Sequence, residues 1–142
     1  MNRACTLCIG EEIFVVSDAM TTHDYYEHDQ PVTRLASNES DPVVGDAVLE
    51  ALSLYRTNAT PSGPMGTEAD PVLQFAGVRT WGQLERNSHC ILIREEAGSI
   101  TSIPTRHAQG GGYDHLNELA IHCQAIPEEI GAAVRQAIKL CE

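Results

Sequence analysis

The second half of this chain is similar to the first, and this internal similarity limits the possible folds more than any other feature. Segment 44–54 aligns with 130–140 at an offset of 86 residues, and Tyr26-Glu27-His28 aligns with Tyr113-Asp114-His115 at an offset of 87. The matched positions are mostly apolar residues and glycine, which build a core. Two copies are too few for a solenoid, which needs about three or more repeats. We therefore expect a single domain, 1–142, with similar halves at about 11–56 and 90–142.

Each of the two similar segments has the pattern of an amphipathic helix. Asp41 is expected to cap the first helix with Pro42 at its first position, and Pro127 opens the second. Apolar residues recur at positions 44, 47, 48, 51, 52 and 55 of the first helix and 130, 133, 134, 137, 138 and 141 of the second. Gly45 and Gly131 lie in the first turns, where glycine costs roughly 1 kcal/mol relative to alanine. This repeated glycine predicts that another backbone segment packs closely there.

The other apolar runs predict strands. The expected strands are 13–16, 72–75, 90–93, 100–103 and 119–123, with part of 21–29. A turn at 95–98 joins two of them into a hairpin that Pro104 ends, and 57–71 is expected to be a long loop. Thr80 and Gln83 have capping-box spacing, which predicts a short helix through Arg86.

These elements predict the fold class α/β (α+β). A mostly antiparallel sheet is packed by two long helices, which come from the internal pseudo-repeat and are related by a pseudo-twofold axis. The segment around Trp81 supplies a short third helix.

The chain is strongly acidic, with a formal net charge of −11. Such a charge repels phosphate backbones, which argues against nucleic-acid binding, and it favours a basic partner whose approach it accelerates. The first ten residues contain one arginine and no apolar core, and the apolar run 13–16 is too short to span a membrane. We expect a cytoplasmic protein that does not contact a membrane.

The cysteines and glycines do not predict a metal or phosphate site. Five cysteines is an odd number, and Cys90, Cys123 and Cys141 lie at apolar positions, so reduced, buried thiols are expected. Cys5-x-x-Cys8 has no second pair of the kind a structural zinc site requires. The glycines 110–112 are not followed by the Lys-Ser/Thr of a phosphate-binding loop, which favours a turn.

The histidines leave two alternatives open. His23, Asp24, His28 and Asp29 are close in sequence and could bind a divalent metal, but their spacing is not that of one helix face, which favours a solvated polar strand. A small metal-dependent hydrolase would use His23, His28, His107 and His115. A homodimeric regulatory scaffold is the other alternative.

Acidic residues beside tyrosines mark the predicted binding surface. Tyrosine supplies contact area at low entropic cost, and carboxylates pair with basic groups of a partner. The predicted surface consists of Asp24, Tyr25, Glu27 and Asp29, with the loop around Glu68 and Asp70 as the second choice.

Several segments together resemble a known family. They are Val44–Leu52, Gly77–Trp81, Ile103–Arg106, Gly111–Tyr113 and Ile130–Gly131. In order and spacing, from about Phe14 to the C-terminus, they resemble the immunity proteins of contact-dependent growth inhibition (CDI) systems.

The resemblance implies a cytoplasmic, non-catalytic protein with no cofactor and no metal. Its partner would be the toxic C-terminal domain of a large exoprotein that neighbouring bacteria deliver, often a nuclease. The resemblance transfers no catalytic residues, and its recurring positions belong to the core and turns and do not mark a toxin-binding face.

Overall fold

The computed structural model describes residues 1–62 and 70–142, which form eight β-strands and four α-helices. In chain order the elements are β1 (Asn2–Ile9), β2 (Glu12–Thr21), β3 (Tyr26–Ala36), α1 (Asp41–Ser53), β4 (Arg56–Ala59), α2 (Pro71–Ala76), α3 (Trp81–Arg86), β5 (Ser88–Glu96), β6 (Ser99–His107), β7 (Tyr113–His115), a 3-10 turn at Asn117–Leu119, β8 (Ile121–Gln124) and α4 (Pro127–Leu140).

One mixed sheet holds all eight strands. Its order is β3-β2-β1-β5-β6-β7, with β4 beside β2 and β8 beside β6. All pairings are antiparallel except that of β2 with β4. The predicted α+β class with a mostly antiparallel sheet is therefore confirmed, as is the hairpin of β5 and β6.

The N-terminal segment is the largest departure from the predicted elements, because β1 is a central strand between β2 and β5. It mixes polar, small and apolar side chains, so its sequence alone carries little hydrophobic signal, and its burial follows from its neighbours on both sides. Cys5 and Cys8 are three positions apart on this strand, and alternate side chains point to opposite faces. The Cys-x-x-Cys spacing therefore does not bring the two thiols together.

Helices α1 and α4 cover one face of the sheet. Their apolar sides pack on Ala4, Ile13, Val15, Ile91, Ile93 and Ile100. A Cβ atom added at Gly45 would overlap the carbonyl oxygen of Pro127, and one added at Gly131 would overlap that of Asp41. The predicted close backbone approach at both glycines is confirmed, and it is reciprocal. Descent of the two helices from a duplicated segment remains a prediction.

The opposite face of the sheet packs on α2 and α3. Its core comprises Cys5, Leu7, Phe14, Val16, Val32, Val72, Leu73 and Leu84. The predicted strand at 72–75 is wrong, because Asp70 accepts a hydrogen bond from Val72 N at 2.8 Å and caps α2. Pro71 follows at the first helical position, and an Asp-Pro start of this kind outweighs the short apolar run behind it.

Smaller differences have local causes. Ser40, not Asp41, occupies the position before α1, and the expected loop 57–71 contains most of β4. Strand β6 continues past Pro104, which lies between the segments paired with β8 and β7 and so removes no ladder hydrogen bond on that side. Leu119 belongs to the 3-10 turn, so β8 starts later than predicted. Among the described residues, no helix has the length and apolar content to cross a membrane.

Candidate functional site

A cavity of about 450 Å³ opens on the sheet face that carries α2 and α3. Its size is within the range of about 300–1,000 Å³ found for ligand pockets. The described side of its lining is formed by Arg3, Cys5, Asp18, Tyr26, Glu27, His28, Ser62, Asp70, Trp81, Glu85, Cys90, Leu92, Gly112, Tyr113 and His115. Alternate positions of β1, β2 and β5 supply part of this wall, because every second side chain of a strand faces the same side.

A buried ion pair lies in the wall. Arg3 Nε donates to Asp18 Oδ2 at 2.5 Å, and their side chains are 17% and 4% exposed. The Arg3 guanidinium also lies 3.6 Å from the centroid of the Tyr26 ring. Sequence reasoning missed both charged residues of this pair. The sequence did contain one signal. Arg3, Cys5 and Leu7 are spaced two residues apart, which places Arg3 on the same face of a strand as two apolar residues.

A second polar group joins the imidazole of His28 to a carboxylate and a thiol. His28 Nδ1 lies 3.0 Å from Asp70 Oδ2, and Cys5 lies within hydrogen-bonding reach of the same ring. Burial of the ring lowers the pKa of His28, but the hydrogen bonds to Asp70 and Cys5 outweigh burial and hold that pKa well above its usual value. This shift favours the protonated ring, whose charge Asp70 would compensate at 3.0 Å.

This pairing predicts a pH-dependent stability. Because folding raises the pKa of His28, its contribution is fully present below the unfolded pKa of about 6.5 and is lost as pH rises through the folded pKa. We expect the wild-type unfolding free energy to fall over that window by up to about 1.4 kcal/mol per pH unit relative to His28→Gln. Urea titrations of both proteins across pH 5.5 to 9 measure it, at roughly half-unit steps. Parallel pH profiles for the two proteins would show that His28 contributes nothing.

Cys5, His28 and Asp70 have the thiol–imidazole–carboxylate order of a cysteine nucleophile, but the thiol is poorly suited to attack. The hydrogen bond to Cys90, whose Sγ lies 3.0 Å from that of Cys5, raises the pKa of Cys5 well above its usual value, and burial adds to the effect. Nucleophilic cysteines need the opposite shift, because the thiolate is the reactive form. All five cysteines are free thiols.

The glycine loop before β7 holds a carboxylate. Gly112 N donates to Glu85 Oε2 at 2.8 Å, and Glu85 is 9% exposed. Glycines 110, 111 and 112 all have positive φ angles, which explains why three glycines stand together. The prediction of a positioning turn is confirmed, and one donor that a phosphate would need is occupied by a protein carboxylate.

The structure places the predicted surface residues in different environments. Asp24 is exposed in the turn before β3, with φ at 62°, and Tyr25 Oη donates to Glu27 at 3.4 Å. Asp29 accepts from Arg56 Nε at 2.7 Å. Of the predicted residues that the structure describes, only Glu27 and Asp70 line the cavity. Glu68 lies outside the described residues.

The histidines proposed for a hydrolase do not form one cluster. His28 and His115 line the cavity, whereas His23 lies in the exposed turn and His107 Nε2 donates to Ser88 O at 2.9 Å. Within 1–62 and 70–142, no three His, Cys, Asp or Glu side chains are placed to hold a metal ion.

Comparisons with known proteins agree on one family and one fold. The family model described as CdiI, CDI immunity protein, matches residues 3–141. Among solved structures, the chain is similar to NMB0488, a protein of unknown function from Neisseria meningitidis (22% identity, 99% of this chain, 95% of that chain, TM-score 0.79). It is also similar to a CdiA-CT/CdiI toxin and immunity complex from Yersinia pseudotuberculosis (17% identity, 99% and 97%, TM-score 0.75). A search of curated proteins gave no match.

Proposed function

The chain belongs to the family of CDI immunity proteins, and on that premise we propose that it binds and neutralises the C-terminal toxin domain of a CDI exoprotein. The observation that carries this proposal is the extent of the family match, which leaves out only the ends of the chain. All four described helices and the sheet apart from Asn2 fall inside the matched range. A partial match could reflect a shared substructure, whereas this one covers every described element except the first residue of β1.

The fold supports the same proposal independently of sequence identity. The Yersinia structure with the same fold is described as a toxin and immunity complex, so this architecture is one that has been seen with a toxin. We propose that the partner here is likewise the toxin domain encoded with this chain, and that neutralisation occurs by direct binding in the cytoplasm.

The charge of the chain favours a basic toxin domain. A net charge of −11 attracts a surface that is itself built to bind phosphate, as in a nuclease. Complementary charge raises the association rate and disfavours wrong partners. We propose a nuclease toxin on this ground.

The proposed binding face is the rim of the cavity. Asp24 is exposed in the turn before β3 and Tyr25 next to it is half-buried. Glu27 lines the cavity from β3, and Asp29 lies two residues further along the same strand. Asp70 contributes indirectly, because its carboxylate is already used by His28 and by the cap of α2.

Binding kinetics test the proposal. We expect a nanomolar or tighter complex with the toxin domain encoded immediately upstream, and cells that produce this domain should survive only when the chain is coproduced. The association rate should fall at least about tenfold as salt rises from about 50 to about 500 mM, because screening removes long-range attraction. Biolayer interferometry measures the Kd and the association rate.

A matched pair of charge variants locates the face in the same experiment. Asp24→Asn should slow association more than Asp46→Asn, because Asp46 is exposed on α1, on the other side of the sheet. Absence of binding and of protection by the wild-type chain would overturn the function. Equal effects of the two variants would overturn only the proposed face.

A further inference from the structure

We infer that the cavity receives an arginine side chain of the toxin, held by the carboxylates of Glu85 and Glu27. This inference rests on the proposed function and names the chemistry by which the partner is recognised. It follows from how the four carboxylates in the described part of the cavity lining are compensated.

Two of the four carboxylates already have cationic partners. Asp18 is paired with Arg3, and Asp70 with the imidazole of His28, whose raised pKa favours the cationic ring. These charges balance within the chain, so they do not require anything from outside.

Glu85 and Glu27 differ, because their recorded donors among the described residues are all neutral. Glu85 accepts from the backbone N of Gly112, and Glu27 accepts from Ser62 N and Oγ at 3.2 and 3.1 Å and from the Tyr25 hydroxyl. Glu85 is the more informative of the two, since only 9% of its surface is exposed. Buried charges in proteins are generally paired. A buried carboxylate that faces a cavity, and whose one donor in the described part of the chain is a neutral N–H, therefore indicates a cation from outside.

The rest of the lining favours a guanidinium over a compact cation. Trp81 and Tyr113 are aromatic residues of the cavity lining. A planar guanidinium both stacks on such rings and pairs with carboxylates through two parallel hydrogen bonds. The same wall already holds one guanidinium in this way, because Arg3 lies over Tyr26 and pairs with Asp18. No three groups in the described part of the chain are arranged for a metal ion, so the lining does not favour a bare divalent cation.

The test compares Glu85→Gln with the exposed control Glu118→Gln, which lies outside the cavity lining. Glutamine keeps an acceptor for Gly112 N and removes only the charge. We expect Glu85→Gln to raise the Kd for the toxin domain at least about 30-fold, and Glu27→Gln to raise it less. Glu118→Gln should change it less than about fivefold. Melting curves confirm that each variant is folded. If Glu85→Gln does not fold, Glu27→Gln replaces it as the test variant.

A toxin-side experiment identifies the residue that enters. One Arg→Met variant of the toxin domain should bind the wild-type chain more weakly than the unchanged toxin does. The same toxin variant should bind the Glu85→Gln chain with little further loss of affinity. If the wild type binds the toxin but both cavity variants bind equally well, the inference is wrong and the function stands. A small molecule released on denaturing the purified chain, seen by mass spectrometry and displaced by no toxin, would also overturn it. Absence of any wild-type binding overturns both.

Discussion

Gly45→Ala should lower the free energy of unfolding by about 3 kcal/mol or more, which is a large part of the 5–15 kcal/mol typical of a small domain. The added methyl group would overlap the backbone of Pro127, and backbone atoms cannot move aside as the end of a flexible side chain can. Helices α1 and α4 would have to separate, which opens the core beneath them. Gly131→Ala should act in the same way, since its Cβ meets the backbone of Asp41.

Urea unfolding and thermal melting measure this effect, with a fall in Tm of roughly 10 °C expected. Gly82→Ala is the matched control, because a Cβ at this glycine of α3 has nothing within 4 Å. There the substitution should be neutral or stabilising by up to about 1 kcal/mol, the helix propensity difference. Equal changes in the free energy of unfolding for Gly45→Ala and Gly82→Ala would mean that the contact between α1 and α4 tolerates a side chain. Helix propensity alone would then explain both effects.

Asp18→Asn should destabilise the chain by about 3 kcal/mol, because removing one partner of a buried ion pair leaves the other charge uncompensated. Arg3 would keep its contact with Tyr26 but lose its carboxylate, while remaining only 17% exposed. Asparagine nearly preserves the shape of the side chain, so the loss reports charge and hydrogen bonding, not a cavity.

The control for this second variant is Glu12→Gln. Glu12 pairs with Arg34 across β2 and β3, but the two side chains are 38% and 52% exposed, and exposed pairs contribute about 0–1 kcal/mol. Denaturant titrations of the two variants should therefore differ several-fold in the free energy lost. A loss below about 1 kcal/mol for Asp18→Asn would show that water solvates the Arg3 guanidinium. The ion pair would then contribute no more than an exposed one.

The elements that could be predicted are those with strong local signals. Helices α1 and α4 have regular apolar spacing and a proline at their start, and Thr80 caps α3 by accepting from Gln83 N at 3.2 Å. Each of these signals lies within a few residues along the chain. The missed or misassigned elements lack such signals. β1 mixes polar, small and apolar side chains and is buried by its position between β2 and β5, and α2 has a short apolar run that fits a strand as well as a helix.

The candidate site could be predicted only in part. Charge and neighbouring tyrosines indicated Glu27, and the acidic loop indicated Asp70; both line the cavity. The same reasoning could not find Glu85, because an isolated glutamate in a short helix looks like any solvated charge. Its burial depends on a glycine 27 residues further along the chain.

The amino-acid sequence by itself determined the two packed helices, their contact glycines, the β5–β6 hairpin and the resemblance to a family, because each rests on spacing along the chain. Only the tertiary structure decided that the N-terminal segment is central, that α2 and α3 leave a cavity on the sheet, and which carboxylates there are compensated. The physical reason is that charge pairing and burial depend on distance through space, and the pairs that matter join residues from separate strands and loops.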